Sequence, residues 1–591
     1  MTATLDFPGF RARNPVGWAG RRFSEVLWAI ERAYERSKAR DRAVDDTRVR
    51  TLFVLLAFAL AFFGVAAGAT HAALFAEPRA SGAVLPAGHR VDMTDRNGRL
   101  LAVDLVHYGL YLDRRAIWDA DETRRVLHAA LPNLSSERLE RALNAQGRAF
   151  LVGGLTPQQR ERLDGLGLPG VQFEPEERRV YPLGASAAHV IGFADAGGRG
   201  LAGAELALDD TIRADNAAPV ALSIDLRVQA ALEEELRRVF VEQQARGAVG
   251  MVTDVHTGEI LAMVSFPDFD PNAPGRASPD QRLNRAAQSV YEMGSVFKTF
   301  SVAAGLDAGF AGLDSRYDTN SLRIGNRSIG DYHHIGRPLT VREIFLKSSN
   351  IGTGALALSA PEGVFPAYMR RFGFLQAAPS ELRESARPIV PRRWDQSTIA
   401  SASFGHALSV SPLSLAQAYG AVLNGGYLRP LTIRRLPAGA PLPPAPRILS
   451  EGTSQQMIGL MRLNSVPGAG GSGSRANALG YFVGGKTGSA EKPGPGGYNR
   501  TAVVSSFAGT FPAEGPPSAR RYFVFAMIDE PIGAAGSAGF RTGGLVAAPI
   551  VGRVVERIAP LLGVQRAPEA IVRQRDEAAV SVLPNRRSPA P

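Results

Sequence analysis

The chain has 591 residues, 45% of them hydrophobic and 21% charged, with a formal net charge of +11. This balance is that of a globular protein of about three or four domains, and it excludes a wholly disordered chain. There is no cysteine, which rules out a disulfide framework and a thiolate zinc site.

Residues 1–50 are polar and basic, with Arg11, Arg21, Arg32 and Arg50 diluted by Asp41, Asp45 and Asp46. The basic residues form no aromatic-studded stripe, and many sit beside an apolar run. The charge therefore reads as a membrane-surface feature and not as a nucleic-acid footprint. Trp18, Phe23, Leu27, Trp28 and Ile30 fit either a short amphipathic surface helix or a disordered tail. From Thr51 to Ala76 no Asp, Glu, Lys or Arg occurs. About 20 apolar residues span the roughly 30 Å hydrocarbon core. The run is apolar on every face, and it predicts one uncleaved membrane anchor over 51–76. Arginines on its N-terminal side put 1–50 in the cytoplasm and the remainder outside.

Residues 77–220 read as an α+β module. His89–Asp95 and Arg99–Asp104 are predicted strands around Arg96-Asn97-Gly98, because Asn-Gly supplies the positive φ of a tight turn. A helical stretch is predicted at about 121–146. No catalytic cluster appears, so this module reads as a spacer and docking element.

Residues 221–564 form the large unit. Leu226–Gln243 has helical periodicity, and Val249–Asp254 and Glu259–Val264 flank His256-Thr257-Gly258 as a hairpin. Leu415–Leu423 and Ala547–Leu562 read as buried or amphipathic helices. Leu436–Pro446 and Pro467–Ser474 read as surface insertions. Residues 565–591 are polar, end in Pro-Asn-Arg-Arg-Ser-Pro-Ala-Pro, and predict a disordered tail.

The chemistry gathers at Tyr291–Phe300. Ser295 and Lys298 are three residues apart at the predicted start of a helix, so they share a face. A serine hydroxyl alone is a weak nucleophile. An amine one turn on can take its proton, and a helix N-terminus favours negative charge nearby. Ser-x-x-Lys by itself is a weak signal. Two further elements follow it in order: Ser348-x-Asn350 and Lys486-Thr487-Gly488. Together the three are a signature of penicillin-binding proteins and serine β-lactamases.

Gly480–Thr487 also matches the phosphate-binding pattern G-x-x-x-x-G-K-T. That loop must open a helix, but Pro493 and Pro495 follow, and Tyr481–Val483 reads as part of an edge strand. Nucleotide binding is therefore rejected. His333 and His334 lack partners at metal-ligand spacing and read as loop residues, so no metal or other cofactor is expected. His406, within Phe404–Val410, reads as lining the cleft.

With these motifs the chain resembles the class B penicillin-binding proteins, most closely their division-specific branch. Asp95–Gly98, Arg179-Val-Tyr-Pro182, Thr257–Met263, Asp270-Pro-Asn272, Asn284-Arg-Ala286 and Asn424-Gly-Gly426 carry the resemblance further. Met293 stands where the family usually has proline, and Phe404–Val410 also departs from the usual pattern. The resemblance implies an α+β fold: one transmembrane helix, a pedestal or dimerisation module, and a transpeptidase domain. That domain is an antiparallel sheet flanked by helices plus an all-helical part.

It implies a D,D-transpeptidase that cross-links peptidoglycan stem peptides ending in D-Ala-D-Ala and is acylated by β-lactams. Ser295 would be the nucleophile and Lys298 its base. Ser348 would relay a proton, Asn350 would orient Lys298, and Lys486 would supply positive potential. Thr487, Gly488 and Ser489 would bind the terminal carboxylate, and the N–H groups of Ser295 and Ser489 would form the oxyanion hole. The implied setting is the bacterial inner membrane, with a membrane-embedded glycosyltransferase and other division proteins as partners. The alternatives are an elongation-specific relative, a soluble β-lactamase, a penicillin-sensing receptor and a catalytically silent division scaffold. The anchor and the 77–220 module disfavour a β-lactamase, and a 50-residue cytoplasmic segment is too short for a receptor's effector domain.

Overall fold

The computed structural model describes residues 90–214, 218–494, 497–581 and Leu583, with scattered residues between Trp28 and Ala66. The chain divides into two compact units, 1–83 and 84–591. In the first, the described residues Phe58, Phe62 and Phe63 are helical and exposed. Among the described residues no helix is long and apolar enough to cross a membrane. Most of the anchor expected at 51–76, and nearly all of the basic segment before it, lies outside the described residues.

The second unit opens with β1 (Met93–Thr94) and β2 (Leu100–Asp113), paired antiparallel around the Asn-Gly turn. Gly98 has the positive φ, +83°, that the turn requires. Asp95 accepts hydrogen bonds from Asn97 N (2.8 Å) and Arg99 N (2.9 Å), and from Leu226 N (3.2 Å) at the head of the first catalytic helix.

The helical stretch expected at 121–146 is two helices, α1 (Ala120–Ala130) and α2 (Ser136–Leu143). Pro132 has no N–H to continue the first helix, and Asp119 and Ser135 each cap a new start. β3 (Arg148–Leu155) and β4 (Val171–Val180) both pair with β2. Leu110, Leu112, Leu127, Leu139 and Leu151 fill the core between sheet and helices.

β5 (Val220–Ala221) returns parallel to β1. Nearby, buried Glu205 pairs with both Arg90 and Arg179. Tyr181 exchanges two 2.9 Å hydrogen bonds with Asn272: its N–H donates to Oδ1, and its carbonyl accepts from Nδ2. Two segments singled out in the sequence thus pin the N-terminal module to the catalytic one.

The catalytic part begins with α3 (Leu226–Glu242), β6 (Gly247–Asp254) and β7 (Ile260–Phe266). A largely helical stretch follows. It contains β8 (Tyr291–Glu292), α4 (Lys298–Ala308), α5 (Val341–Lys347) and α6 (Asn350–Leu358). It continues with β9 (Ser409–Val410), which pairs with β8, then α7 (Pro412–Leu423) and α8 (Glu451–Ser465). The chain then returns to the sheet as β10 (Gly484–Gly494), β11 (Gly497–Phe511) and β12 (Tyr522–Asp529). It closes with α9 (Ala548–Ile558) and α10 (Glu569–Ser581).

The sheet order is β10-β11-β12-β6-β7, antiparallel throughout. β12 is buried on both faces. Phe523, Phe525 and Met527 enter the core beneath the helical part, while Val524, Ala526 and Ile528 enter the core that includes residues of α3 and α9. Alternation along the strand sends neighbours to opposite sides.

Two expectations need correction. The edge strand starts at Gly484, because Tyr481 N closes a turn onto Ala478 O at 3.1 Å. Residues 569–581, expected to be disordered, form helix α10. Asp576 pairs with buried Arg462 of α8, and Arg575 pairs with Glu514. Residues 584–591 lie outside the described residues.

Candidate active site

Gly294–Phe297 makes a tight 3-10 turn that runs directly into α4. The edge strand β10 presses against this turn. A Cβ on Gly488 would meet Met293 O at 2.9 Å, and one on Gly294 would meet Ser489 O at 2.8 Å. Glycine at both positions lets strand and turn touch backbone to backbone. From below, Tyr419 of α7 donates to Val296 O (2.8 Å) and shares a 2.8 Å hydrogen bond with Thr299 Oγ1. The floor under the turn is thereby fixed.

Ser295 is half-buried, and its hydroxyl has no hydrogen-bond partner among the described residues. Lys298, one turn on, is fully buried. Its Nζ donates to Ser348 O (2.5 Å), Asn350 Oδ1 (2.8 Å) and Ser348 Oγ (3.1 Å). Lys486 of β10 reaches the same hydroxyl, Nζ to Ser348 Oγ, at 2.9 Å. Ser348 therefore joins the two amines.

Local structure explains that position. Ser348 ends α5 in a left-handed conformation, φ +58°, which costs a non-glycine residue ~1–2 kcal/mol. Ser349 then caps α6, its Oγ accepting from Gly352 N at 2.9 Å. Asp331 completes the junction. Its carboxylate accepts from Ser349 Oγ (2.6 Å) and from the N–H groups of Asn350 and Ile351.

Burial pushes Lys298 well below the usual lysine range, and the charge of Lys486 adds to the effect, while Asp331 opposes it. Burial brings Lys486 down to about 7. These are the two causes by which a lysine becomes a neutral base near physiological pH. A neutral Lys298 has two N–H groups, which Ser348 O and Asn350 Oδ1 can occupy, and its lone pair is then free to take a proton.

Thr487 is buried and donates to Ser472 Oγ at 2.8 Å. Asn464 of α8 accepts from Ser472 N (3.1 Å) and donates to Gly485 O (2.8 Å). The segment Pro467–Ser474, expected as a surface insertion, thus supports β10 from behind. Ser489 is exposed, and its Oγ accepts from Gly543 N at 3.0 Å. His333 and His334 are exposed loop residues, and no cluster of metal-ligating side chains occurs among the described residues. His406 is half-buried, with Phe404 and Tyr498 as ring neighbours.

Asp331, Tyr419, Asn464 and Ser472 were not singled out in the sequence. None carries a local pattern that marks it, and each acts through a residue far away in the chain.

Residues 248–556 match the penicillin binding protein transpeptidase domain, and residues 86–208 match the penicillin-binding protein dimerisation domain. The chain belongs to the penicillin-binding protein transpeptidase family. It is 54% identical to the probable peptidoglycan D,D-transpeptidase FtsI of Caulobacter vibrioides, over 93% of this chain and 94% of that one. It is 34% identical to the probable peptidoglycan D,D-transpeptidase PenA of Neisseria gonorrhoeae, over 80% and 85% of the two chains. With peptidoglycan D,D-transpeptidase FtsI of Escherichia coli the identity is 30%, over 81% and 84%.

Proposed function

We propose that Ser295, Lys298, Ser348, Asn350 and Lys486 carry the reaction of a peptidoglycan D,D-transpeptidase. The chain is such an enzyme of cell division, acting on peptidoglycan stem peptides and bound by β-lactams. The observation that carries the assignment of residues is the bridge at Ser348 Oγ, within hydrogen-bond distance of both lysine amines.

In the reaction, Ser295 Oγ attacks the carbonyl between the two terminal D-alanines while neutral Lys298 takes its proton. The N–H groups of Ser295 and Ser489 hold the oxyanion. The contact of Gly294 with the Ser489 carbonyl supports this pairing, and one such donor is worth ~3–4 kcal/mol elsewhere. Ser348 passes the proton from Lys298 to the leaving amine. The last D-alanine departs and an ester to Ser295 remains. An amine from a second stem then takes the acyl group. Lys486 supplies positive potential, and Thr487, Gly488 and Ser489 bind the terminal carboxylate. β-Lactams acylate Ser295 and stay.

The setting follows from the N-terminal segment. The apolar run at 51–76, with helical exposed Phe58, Phe62 and Phe63, supports a single-pass anchor. The basic tail 1–50 is cytoplasmic, the module 77–220 is a pedestal, and the transpeptidase domain 221–564 is periplasmic. Anchor and pedestal meet a membrane-embedded glycosyltransferase and other division proteins.

The test is covalent labelling with fluorescent penicillin. Wild type takes up one label per chain and Ser295→Ala takes up none. Label that persists on the alanine variant removes Ser295 as nucleophile.

A further inference from the structure

Arg541 lies two residues before Gly543, whose N–H donates to Ser489 Oγ at 3.0 Å. The Arg541 carbonyl accepts from Ser505 Oγ, and Ser505 is the partner of Ser489 across β10 and β11. Residues 541–543 therefore cross the face of the sheet that carries the Ser489 side chain. The loop before them is fixed. Gly533 N and Ala534 N both donate to Gln243 Oε1 at 3.1 Å, and a Cβ on Gly533 would meet Gly539 O at 2.5 Å, so the neck of the loop is closed.

The guanidinium is fixed as well. Its Nε donates to Ile532 O (3.1 Å) and its Nη1 to Thr501 O (2.8 Å). The residue is half-buried, and among the described residues no carboxylate pairs with it. Cations further along the same strands differ. Lys492 pairs with Asp529 (2.6 Å) and Glu530 (2.7 Å), and Arg246 with Glu530 (3.4 Å). Two carbonyls orient the Arg541 fork but leave its charge unanswered, and a planar guanidinium held this way suits a carboxylate.

The register says which carboxylate can reach it. β10 is an edge strand, so a peptide laid along it adds as a further strand. With the terminal carboxylate at Thr487 and the scissile carbonyl at the Ser489 N–H, the rest of the stem leaves past Ser489 toward Glu491. Each residue advances it by ~3.4 Å, which brings the third residue from the end level with Glu491. Glu491 pairs with Val503, which lies between Ser505 and Thr501, the two contacts of Arg541 on β11. Guanidinium and third residue are thus level with each other. The stem strand and β11 stand on either side of β10, two strand spacings or about 10 Å apart. Only a long side chain spans that gap.

We infer that Arg541 is a specificity-determining residue for the donor stem: it binds a carboxylate at the end of a long side chain on the third residue from the C-terminus. The contact makes and breaks no covalent bond. It tightens the donor against β10, and a neutral or short side chain at that position gains nothing from it.

This assignment rests on the acyl-enzyme reading of the site, and the experiment separates the two. The full chain in detergent is given two tripeptides ending in D-alanyl-D-alanine. Their first residue is 2-aminopimelate, with its side-chain carboxylate free in one and converted to the amide in the other. Release of D-alanine gives kcat/KM for each. Wild type prefers the acid by about tenfold or more, as expected of a charge-assisted contact, and in Arg541→Gln the preference falls to within about twofold of unity. The ratio cancels any general loss of activity. Wild type without a preference overturns the inference, and so does Arg541→Gln that keeps it. Should Arg541→Gln lose its thermal transition, Arg541→Lys is read instead. It keeps the charge without the fork, so a preference below wild type is expected and an undiminished one counts against the inference. Wild type that takes up no penicillin label sinks the proposed site and this inference with it, whereas labelled wild type without a preference sinks the inference alone.

Discussion

Lys298 and Lys486 donate to the same oxygen, Ser348 Oγ, at 3.1 and 2.9 Å. Two buried ammonium groups so placed repel, and the pair relaxes by releasing a proton. Burial lowers both amines, and the charge of Lys486 lowers Lys298 further, which suits Lys298 to the role of base proposed above.

The sign of the pH dependence follows. The base works deprotonated, so acylation by penicillin rises with pH through the lowered pKa of Lys298. Lys486→Met removes the like charge and makes the Lys298 ammonium easier to hold. The acid limb of the acylation profile then moves to higher pH by about one unit, with a lower plateau. Stopped-flow labelling across pH reads this directly, and a limb that moves to lower pH contradicts it.

Asp331→Asn tests the opposite charge. Asp331 raises the pKa of Lys298, so its removal moves the acid limb to lower pH. The same carboxylate accepts from Ser349 Oγ and from the first N–H groups of α6. Asparagine keeps one acceptor oxygen for these three donors, and the loss is expected to read as about 1 kcal/mol in chemical denaturation. If stability falls and the limb stays in place, Asp331 acts on geometry alone.

Gly488→Ala places a methyl group against Met293 O at 2.9 Å and Val296 Cγ1 at 2.9 Å. Strand and nucleophile turn must separate. A displacement of that kind reaches ~100-fold in rate when reacting groups are involved. Labelling is expected to slow by at least tenfold while the melting temperature shifts by only a few degrees. Wild-type labelling rates would show that the contact has slack.

Asp576→Ala leaves Arg462 buried, 8% exposed, without its carboxylate. Breaking a buried ion pair costs ~3–5 kcal/mol, and somewhat less is expected here because Asp576 is 17% exposed. Arg462 also donates to Val483 O at 2.8 Å, just before the strand that carries Lys486. Denaturant titration reads the loss, and Arg462→Met combined with Asp576→Ala recovers part of it.

Much of the site was legible in the sequence because its motifs are local. Ser295 and Lys298 share a face through helix geometry, and Gly98 and Gly258 mark their turns through positive φ. The glycines at 294 and 488 were visible as letters, but not as a backbone contact. Asp331, Tyr419, Ser472 and the guanidinium of Arg541 depend on which loops meet in space, and no spacing encodes that. Helix α10 was missed for a different reason. The proline-rich end of the chain masks it, while Glu569–Ser581 is rich in alanine, glutamate and arginine and favours a helix.

The catalytic sheet takes two strands from before the helical stretch and three from after it. During synthesis β6 and β7 leave the ribosome long before β12, the neighbour that β6 needs. Until then a largely apolar edge is open to aggregation. Such late, long-range closure predicts slow maturation that depends on chaperones, so that a newly made copy is inert until its C-terminal third has arrived.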